Sequence, residues 1–135
     1  MEIDNSLVNI LVAEDNYINQ KLISKLLSKK GYNALIVEDG KKAVEALETG
    51  DFHIILMDIQ MPIMDGLEAT RKIREKDEQQ PIIIAMTANA MAGDKEICLQ
   101  AGMDDYISKP IRLETVVTVL ENWSIKIQQQ QHTGM

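Results

Sequence analysis

Residues 54–62 read IILMDIQMP, and this stretch decides the fold. Its apolar run predicts a short strand that is buried on both faces, as strands of parallel sheets are. Asp58 ends the run, and a buried carboxylate costs free energy unless a neighbouring group uses its charge. The stretch therefore predicts a parallel strand that carries a functional acid at its carboxyl end.

Polar side chains follow three other strand-like runs. Glu14 and Asp15 follow residues 8–13, Thr87 follows residues 82–86, and Lys109 follows a short run that ends at residue 108. Ligands of open α/β sheets bind outside the carboxyl ends of the strands, where the strand order reverses. We therefore expect these groups to meet Asp58 at one edge of the sheet.

Strand and helix patterns alternate along the whole chain, which gives five βα units without an internal repeat. This alternation predicts an α/β fold in which helices cover both faces of a parallel sheet. Right-handed crossovers favour a flavodoxin-like (βα)5 doubly wound sheet of order 2-1-3-4-5. We expect one domain over residues 7–126, followed by a disordered or frayed tail over residues 127–135 that begins in a glutamine run.

Helical spacing predicts the buried faces of the first and last helices. For the helix over residues 16–30, the apolar positions are Ile18, Leu22, Ile23, Leu26 and Leu27. For the helix that begins near residue 112, the residues predicted to be buried are Leu113, Val116, Val117, Leu120 and Trp123.

Composition excludes several classes of function. The chain of 135 residues has 21 acidic and 14 basic residues and a net charge of -7, which argues against nucleic-acid binding. Its single cysteine excludes an internal disulfide. No apolar stretch approaches the roughly 20 residues that span a bilayer, and the acidic N-terminus lacks a signal-peptide pattern. A cytoplasmic location without membrane contact is the default expectation.

Three carboxylates at one edge point to a divalent cation. Glu14, Asp15 and Asp58 would repel one another, and Mg2+, or Mn2+, prefers oxygen ligands and leaves room for phosphate oxygens. An Asp carboxylate can accept a phosphoryl group, so Asp58 is the expected nucleophile. Lys109 would act as a point charge on the phosphoryl oxygens, and Thr87 would donate a hydrogen bond to them.

Four motifs in order resemble the receiver domain of two-component response regulators, in particular the receivers of hybrid sensor histidine kinases. They are residues 8–16 (VNILVAEDN), 56–66 (LMDIQMPIMDG), 85–88 (AMTA) and 109–110 (KP). The resemblance implies phosphorylation of Asp58 by a histidine kinase or a histidine phosphotransfer protein. His53 is one departure, because this subgroup often has an acid there.

The resemblance also implies roles for individual residues. The metal ligands would be Asp15, Asp58 and the backbone carbonyl of Gln60, with Glu14 acting through water. Thr87 and Tyr106 would form a switch pair, and the Lys109–Pro110 peptide bond would be cis.

Further expectations concern the phosphorylated state. Gln60 and Asn89 lie two residues beyond Asp58 and Thr87 and would modulate dephosphorylation. Tyr106 would turn inward and reshape a partner surface that includes Ala90, Met91 and the start of the helix after Gly93. The chain would be a monomer or weak dimer that catalyses only its own phosphotransfer and dephosphorylation.

Several alternatives remain open at this stage. The chain is a stand-alone regulator or a piece of a hybrid kinase whose parent carries kinase activity. An aspartyl-phosphate phosphatase would look like Asp-x-Asp, whereas position 60 is Gln. A receiver without phosphorylation would not need its intact acids. Tyr106 could simply pack in the core, and Glu14 or Asp15 could cap the first helix.

Overall fold

The computed structural model describes residues 4–76, 80–88, 93 and 95–133. A short 3-10 turn at Asn5–Leu7 precedes five strands and five helices in strict alternation. The elements are β1 (Asn9–Ala13), α1 (Tyr17–Lys29), β2 (Asn33–Val37), α2 (Gly40–Thr49), β3 (Ile54–Asp58), α3 (Gly66–Arg74), β4 (Ile82–Thr87), α4 (Lys95–Ala101), β5 (Asp105–Ser108) and α5 (Leu113–Thr133).

The five strands form one parallel sheet of order β2-β1-β3-β4-β5, which confirms the predicted fold. Its register aligns the strand ends that carry the candidate site. Ala13 pairs with Met57, Asp58 with Met86, and Thr87 with Ser108. Glu14, Asp58, Thr87 and Lys109 therefore emerge along one edge of the sheet.

Side-chain caps fix where the first three helices begin. Asn16, Asp39 and Asp65 each accept a hydrogen bond from the backbone N–H three residues ahead. Such a cap satisfies a backbone donor that the helix itself leaves unpaired. The cap of α1 directly follows the two acids after β1, so the capping bond also fixes the start of α1 beside them.

Two apolar clusters lie on opposite faces of the sheet. One packs α1 and α5 against the sheet through residues that include Ile23, Leu27, Val116 and Leu120. The other packs α2, α3 and α4 against it through residues that include Ala43, Ala69, Ile73 and Cys98. Residue i and residue i+2 of a strand share a face, so each strand supplies both clusters.

The predicted buried faces of α1 and α5 are wrong at three positions. Ile18 and Leu22 are 68% and 43% exposed, and Leu113 is also exposed, whereas Ile23, Leu26 and Leu27 are buried. Helical spacing marks apolar positions, but burial requires a neighbouring element to cover them. In α5, Val116 and Leu120 are buried, while Val117 and Trp123 are half-buried.

The C-terminal segment differs from the frayed or disordered tail that the sequence predicted from residue 127. Helix α5 continues to Thr133. Gln128 is buried; its side chain donates to the hydroxyl of Ser124 and accepts from the backbone N–H of Asp4 at 3.0 Å. These bonds, and the packing of Ile127 against the apolar cluster, hold the helix past the point where the sequence becomes repetitive.

None of the helices that the structure describes is both long and apolar enough to cross a membrane.

Close packing between α3 and the end of β3 positions Asp58. The backbone N–H of Gly66 donates to the carbonyl of Ile59 at 2.8 Å. A Cβ at position 66 would collide with the carbonyl oxygen of Asp58 itself. Glycine at this position thus lets α3 begin directly against the functional strand.

We expect Gly66→Ala to destabilise the domain by about 1–3 kcal/mol, because backbone atoms at the end of β3 must move. Gly50→Ala is the matched control, since its Cβ would meet the Phe52 ring at 3.5 Å, an ordinary contact distance. Urea unfolding of both variants measures the difference. Equal stabilities would show that the approach of α3 to β3 is not tight.

Candidate functional site

The centre of the site is an ion pair between two strand ends. Lys109 follows β5, and its Nζ lies 2.8 Å from Oδ2 of Asp58 at the end of β3. Asp58 is buried, whereas the Lys109 side chain remains 23% exposed. The lysine can therefore pair with Asp58 and also reach a group that enters from solvent.

Glu14 is the most deeply buried acid of the site. Its Oε1 accepts from the backbone N–H of Asn16 at 3.1 Å. Its Oε2 lies 3.5 Å from Lys109 Nζ and is buried, with no hydrogen-bond partner among the residues that the structure describes. The side chain of Gln20 donates to the Glu14 carbonyl, which fixes the backbone between β1 and α1.

Glu14, Asp15 and Asp58 form a compact acidic cluster. One carboxylate oxygen from each lies within 4.8 Å of the others. Burial raises the pKa of the Glu14 carboxyl above its ordinary value and the charge of Asp58 raises it further, while the Asn16 N–H and Lys109 oppose the shift. Glu14 therefore resists carrying its charge beside Asp58.

The same cluster acts on Lys109 in the opposite sense. Burial alone would lower the pKa of the Lys109 ammonium, but the hydrogen bond and charge of Asp58, together with Glu14, raise it above its ordinary value. Lys109 thus stays protonated next to the acids. One lysine cannot neutralise three carboxylates, so the cluster keeps an excess of negative charge.

The donor set fits a hard divalent cation. The three carboxylates supply the oxygen ligands that Mg2+ and Mn2+ prefer, and Oε2 of Glu14 is buried with no hydrogen bond from the part of the chain that the structure describes, although the Lys109 ammonium lies 3.5 Å away. Asp15 is exposed and faces a cleft that is also lined by Ile59, Gln60, Met61, Pro62 and Asp65. An ion would enter through this cleft.

Gln60 contacts Asp58 through its backbone. Its N–H donates to Oδ1 of Asp58 at 3.2 Å, so Oδ1 points toward the loop after β3 and Oδ2 toward Lys109. The Gln60 side chain is exposed at the cleft. Asn89, its predicted counterpart beyond Thr87, lies outside the described residues.

Thr87 and Tyr106 are diagonal neighbours on one face of the sheet. Thr87 pairs with Ser108 and Ala85 pairs with Tyr106, so both side chains point to the face that α4 covers. Thr87 is buried and Tyr106 is half-buried.

The Lys109–Pro110 peptide bond is cis, as the resemblance implied. Ala90 and Met91, part of the predicted partner surface, lie outside the described residues.

The structure adds contacts that the sequence did not indicate. Lys95 Nζ lies 5.3 Å from the centroid of the Tyr106 ring. Asp105 accepts from the Tyr106 N–H through Oδ1 and from the Trp123 indole N–H through Oδ2, both at 2.8 Å. No sequence spacing marks the Lys95–Tyr106 and Asp105–Trp123 pairs, because each joins two separate elements.

Ile63, in the loop after β3, is a second feature that the sequence did not single out. It has a φ of 69° and is 77% exposed. A β-branched residue with positive φ is a conformational outlier. A glycine at position 63 would have predicted the turn from the sequence, whereas an isoleucine does not indicate one.

Comparison with known proteins places these observations in a family. The family model described as response regulator receiver domain matches residues 10–121. The receiver domain of a Pseudomonas aeruginosa sensor histidine kinase, solved with a magnesium ion coordinated in its active-site cleft, is 43% identical with a TM-score of 0.80. The match covers 87% of this chain and 97% of that one.

A second solved structure pairs a receiver with its partner. The receiver domain of a Saccharomyces cerevisiae response regulator, solved together with a histidine phosphotransfer protein, is 31% identical with a TM-score of 0.83; the match covers 93% of this chain and 92% of that one.

Among curated proteins, a Dictyostelium discoideum hybrid signal transduction histidine kinase is 48% identical over 119 residues, or 82% of this chain. The sensor histidine kinase GacS of Pseudomonas protegens is 40% identical over 119 residues, or 85% of this chain. This chain spans only 7% and 13% of the lengths of these two kinases.

We expect Asp15→Asn to weaken Mg2+ or Mn2+ binding at least about tenfold, because a third of the anionic donors is lost. The same change should raise the stability of the metal-free protein, since it relieves like-charge repulsion. Calorimetric titration and thermal unfolding measure the two effects. Asp51→Asn, which removes an exposed acid at the opposite edge of the sheet, should change neither. Metal binding that persists in Asp15→Asn would contradict the ligand assignment.

Proposed function

Because the chain belongs to the family of response regulator receiver domains, we propose that it accepts a phosphoryl group on Asp58 from a histidine kinase or a histidine phosphotransfer protein. The observation that carries this proposal is the 2.8 Å contact between Lys109 Nζ and Asp58 Oδ2 within a cluster of three acids. Asp15, Asp58 and the Gln60 carbonyl would hold Mg2+ or Mn2+, with Glu14 acting through water.

The transfer is a displacement at phosphorus. A carboxylate oxygen of Asp58 forms the new P–O bond while the P–N bond to the donor imidazole breaks, and the imidazole nitrogen keeps the electron pair of that bond. Lys109 then pairs with a phosphoryl oxygen in place of the free carboxylate, and Thr87 donates its hydroxyl to another. The cation supplies further neutralisation of charge on the phosphoryl oxygens.

Dephosphorylation is a second displacement at phosphorus, in which water attacks the phosphoryl group and the Asp58 oxygen leaves. The Gln60 side chain is exposed at the cleft and its backbone N–H donates to Asp58, so Gln60 would flank the path of an attacking water. We assign Gln60 and Asn89 the role of modulating this step. Gln60 also stands where an aspartyl-phosphate phosphatase would carry its second acid, so we propose no catalysis by this chain beyond its own phosphotransfer and dephosphorylation.

The wider setting is part of the same proposal. The receiver unit would cover residues 7–126, in the cytoplasm, as a monomer or weak dimer. The hybrid kinases among its relatives support a parent protein with kinase activity. The alternative, a stand-alone regulator, would use the same site.

Asp58 should become an acyl phosphate when the domain is incubated with a small phosphodonor and Mg2+. Intact-mass measurement should show the gain of one phosphoryl group, removable with hydroxylamine because the bond is an acyl phosphate. Asp58→Asn should abolish it, and Asp65→Asn, which alters an acid of the same cleft that is not at a strand end, should retain it. Phosphate on a Ser, Thr or His side chain would contradict the proposal.

The exposed apolar face of α1 supports a docking surface for the phosphodonor protein. Ile18 and Leu22 are four residues apart and share a face of the helix, and Ile18 lies three residues beyond Asp15 of the cluster. Ile63 exposes a second apolar side chain in the loop that lines the other side of the cleft. An exposed Ile with a strained backbone conformation adds little to the stability of the fold, and a role in binding the phosphodonor protein accounts for it better.

We expect Ile18→Ser to slow phosphotransfer from a histidine phosphotransfer protein about tenfold, as loss of an interface anchor would. Loading by a small phosphodonor should be unchanged, because Ile18 contributes nothing to the chemistry at Asp58. Ile125→Ser is the matched control: it alters a helical residue of 37% exposure near the opposite end of the molecule. An equal loss with both donors would place the defect in the site rather than in docking.

A further inference from the structure

Lys95 lies over the ring of the switch tyrosine. It is the first residue of α4, and its Nζ is 5.3 Å from the centroid of the Tyr106 ring. A cation within about 6 Å of an aromatic centroid is attracted by the ring quadrupole. The contact joins α4 to β5 on the face of the sheet that also carries Thr87.

The backbone of Tyr106 is held independently of its side chain. Asp105 binds the Tyr106 N–H with one carboxylate oxygen and the Trp123 indole N–H with the other. This carboxylate ties β5 to α5 on the opposite face of the sheet. A reorientation of Tyr106 therefore changes its side-chain contacts, and the contact with Lys95 depends on the charge of the lysine.

We propose that Lys95 is a positioning residue that holds Tyr106 in its half-buried orientation and so opposes the phosphorylated conformation. The inference rests on the proposed function, in which Tyr106 turns inward when Thr87 moves toward the phosphoryl group. An inward ring leaves Lys95, so the contact is made in only one of the two states. A contact that differs between two states shifts their equilibrium.

The direction of the effect distinguishes this role from simple electrostatics. Removing a lysine near an anion-binding site should weaken anion binding by lowering the local positive potential. Removing Lys95 should instead strengthen it, because the state with Tyr106 inward becomes more populated. The apparent affinity of a ligand rises in proportion to the population of the state that binds it.

Beryllofluoride with Mg2+, a mimic of the phosphoryl group on Asp58, provides the test in the whole chain. We expect Lys95→Gln to bind it about two- to fivefold more tightly than the unsubstituted protein does. Lys95→Arg should keep the original affinity, since a guanidinium also stacks on an aromatic ring. Lys21→Gln is the matched control and should leave the affinity unchanged, because Lys21 lies 4.8 Å from the Tyr17 ring centroid within α1, on the opposite face of the sheet.

A double-mutant cycle isolates the contact. In a Tyr106→Leu background, Lys95→Gln should have no effect on beryllofluoride affinity, because the ring is absent. NMR resonances of the Tyr106 ring should also shift toward their beryllofluoride-bound positions in free Lys95→Gln. Unchanged or weaker binding by Lys95→Gln, or an equal effect without the Tyr106 ring, would overturn the inference. A complete lack of binding in the unsubstituted protein would instead overturn the proposed function of Asp58.

Discussion

Repulsion among three carboxylates is the constraint on which the site depends. The strand order places β1 beside β3, so Glu14, Asp15 and Asp58 must meet at the point where the order reverses. Burial makes the repulsion stronger, because a low-dielectric surrounding screens it less. Lys109 offsets only part of it, and the fold tolerates the remainder because its two apolar clusters supply the stability. A cation bound at this cluster would therefore offset repulsion that Lys109 leaves uncompensated.

The two faces of the sheet carry different sets of side chains. On one face, α1 and α5 cover the sheet with large apolar side chains, and Gln128 extends α5 through bonds to both Ser124 and the N-terminal segment. On the other face, Thr87 and Tyr106 are polar neighbours of an apolar cluster that includes Ala85 and Ile83. On the proposed mechanism, a movement of Thr87 toward the phosphoryl group would change the surroundings of Tyr106 on this face.

The fold and the grouping of the acids with Lys109 were predictable from sequence because both depend on local signals. Apolar runs ending in Asp58, Thr87 and Lys109 define strands and their polar ends, and parallel pairing then brings those ends together. Ile18 and Leu22 were mispredicted because periodicity cannot tell a covered apolar stripe from an uncovered one. The Lys95–Tyr106 and Asp105–Trp123 contacts were missed because they join separate elements and follow no spacing. The helical end of α5 was missed because a glutamine run gives no packing signal, whereas the buried Gln128 has specific partners.

The residues around Asp58 are held by different contacts on the β1 side and on the β4–β5 side. This difference matters for which surface would change on phosphorylation. On the β1 side, Glu14 is fixed by bonds from the Asn16 N–H and the Gln20 side chain, and α1 begins at a capped residue. On the β4–β5 side, Lys109 donates to Oδ2 of Asp58, and its flexible side chain can follow a phosphoryl oxygen. On the proposed mechanism, phosphorylation would leave the α1 surface nearly unchanged and would alter the side that contains Thr87 and Tyr106. A phosphodonor protein that docks on α1 would then contact the same surface before and after phosphotransfer. The direction of phosphotransfer would therefore depend on the phosphoryl group itself and not on a rearranged docking surface. A partner that reads the state of the domain would have to bind near Tyr106, where the two states differ.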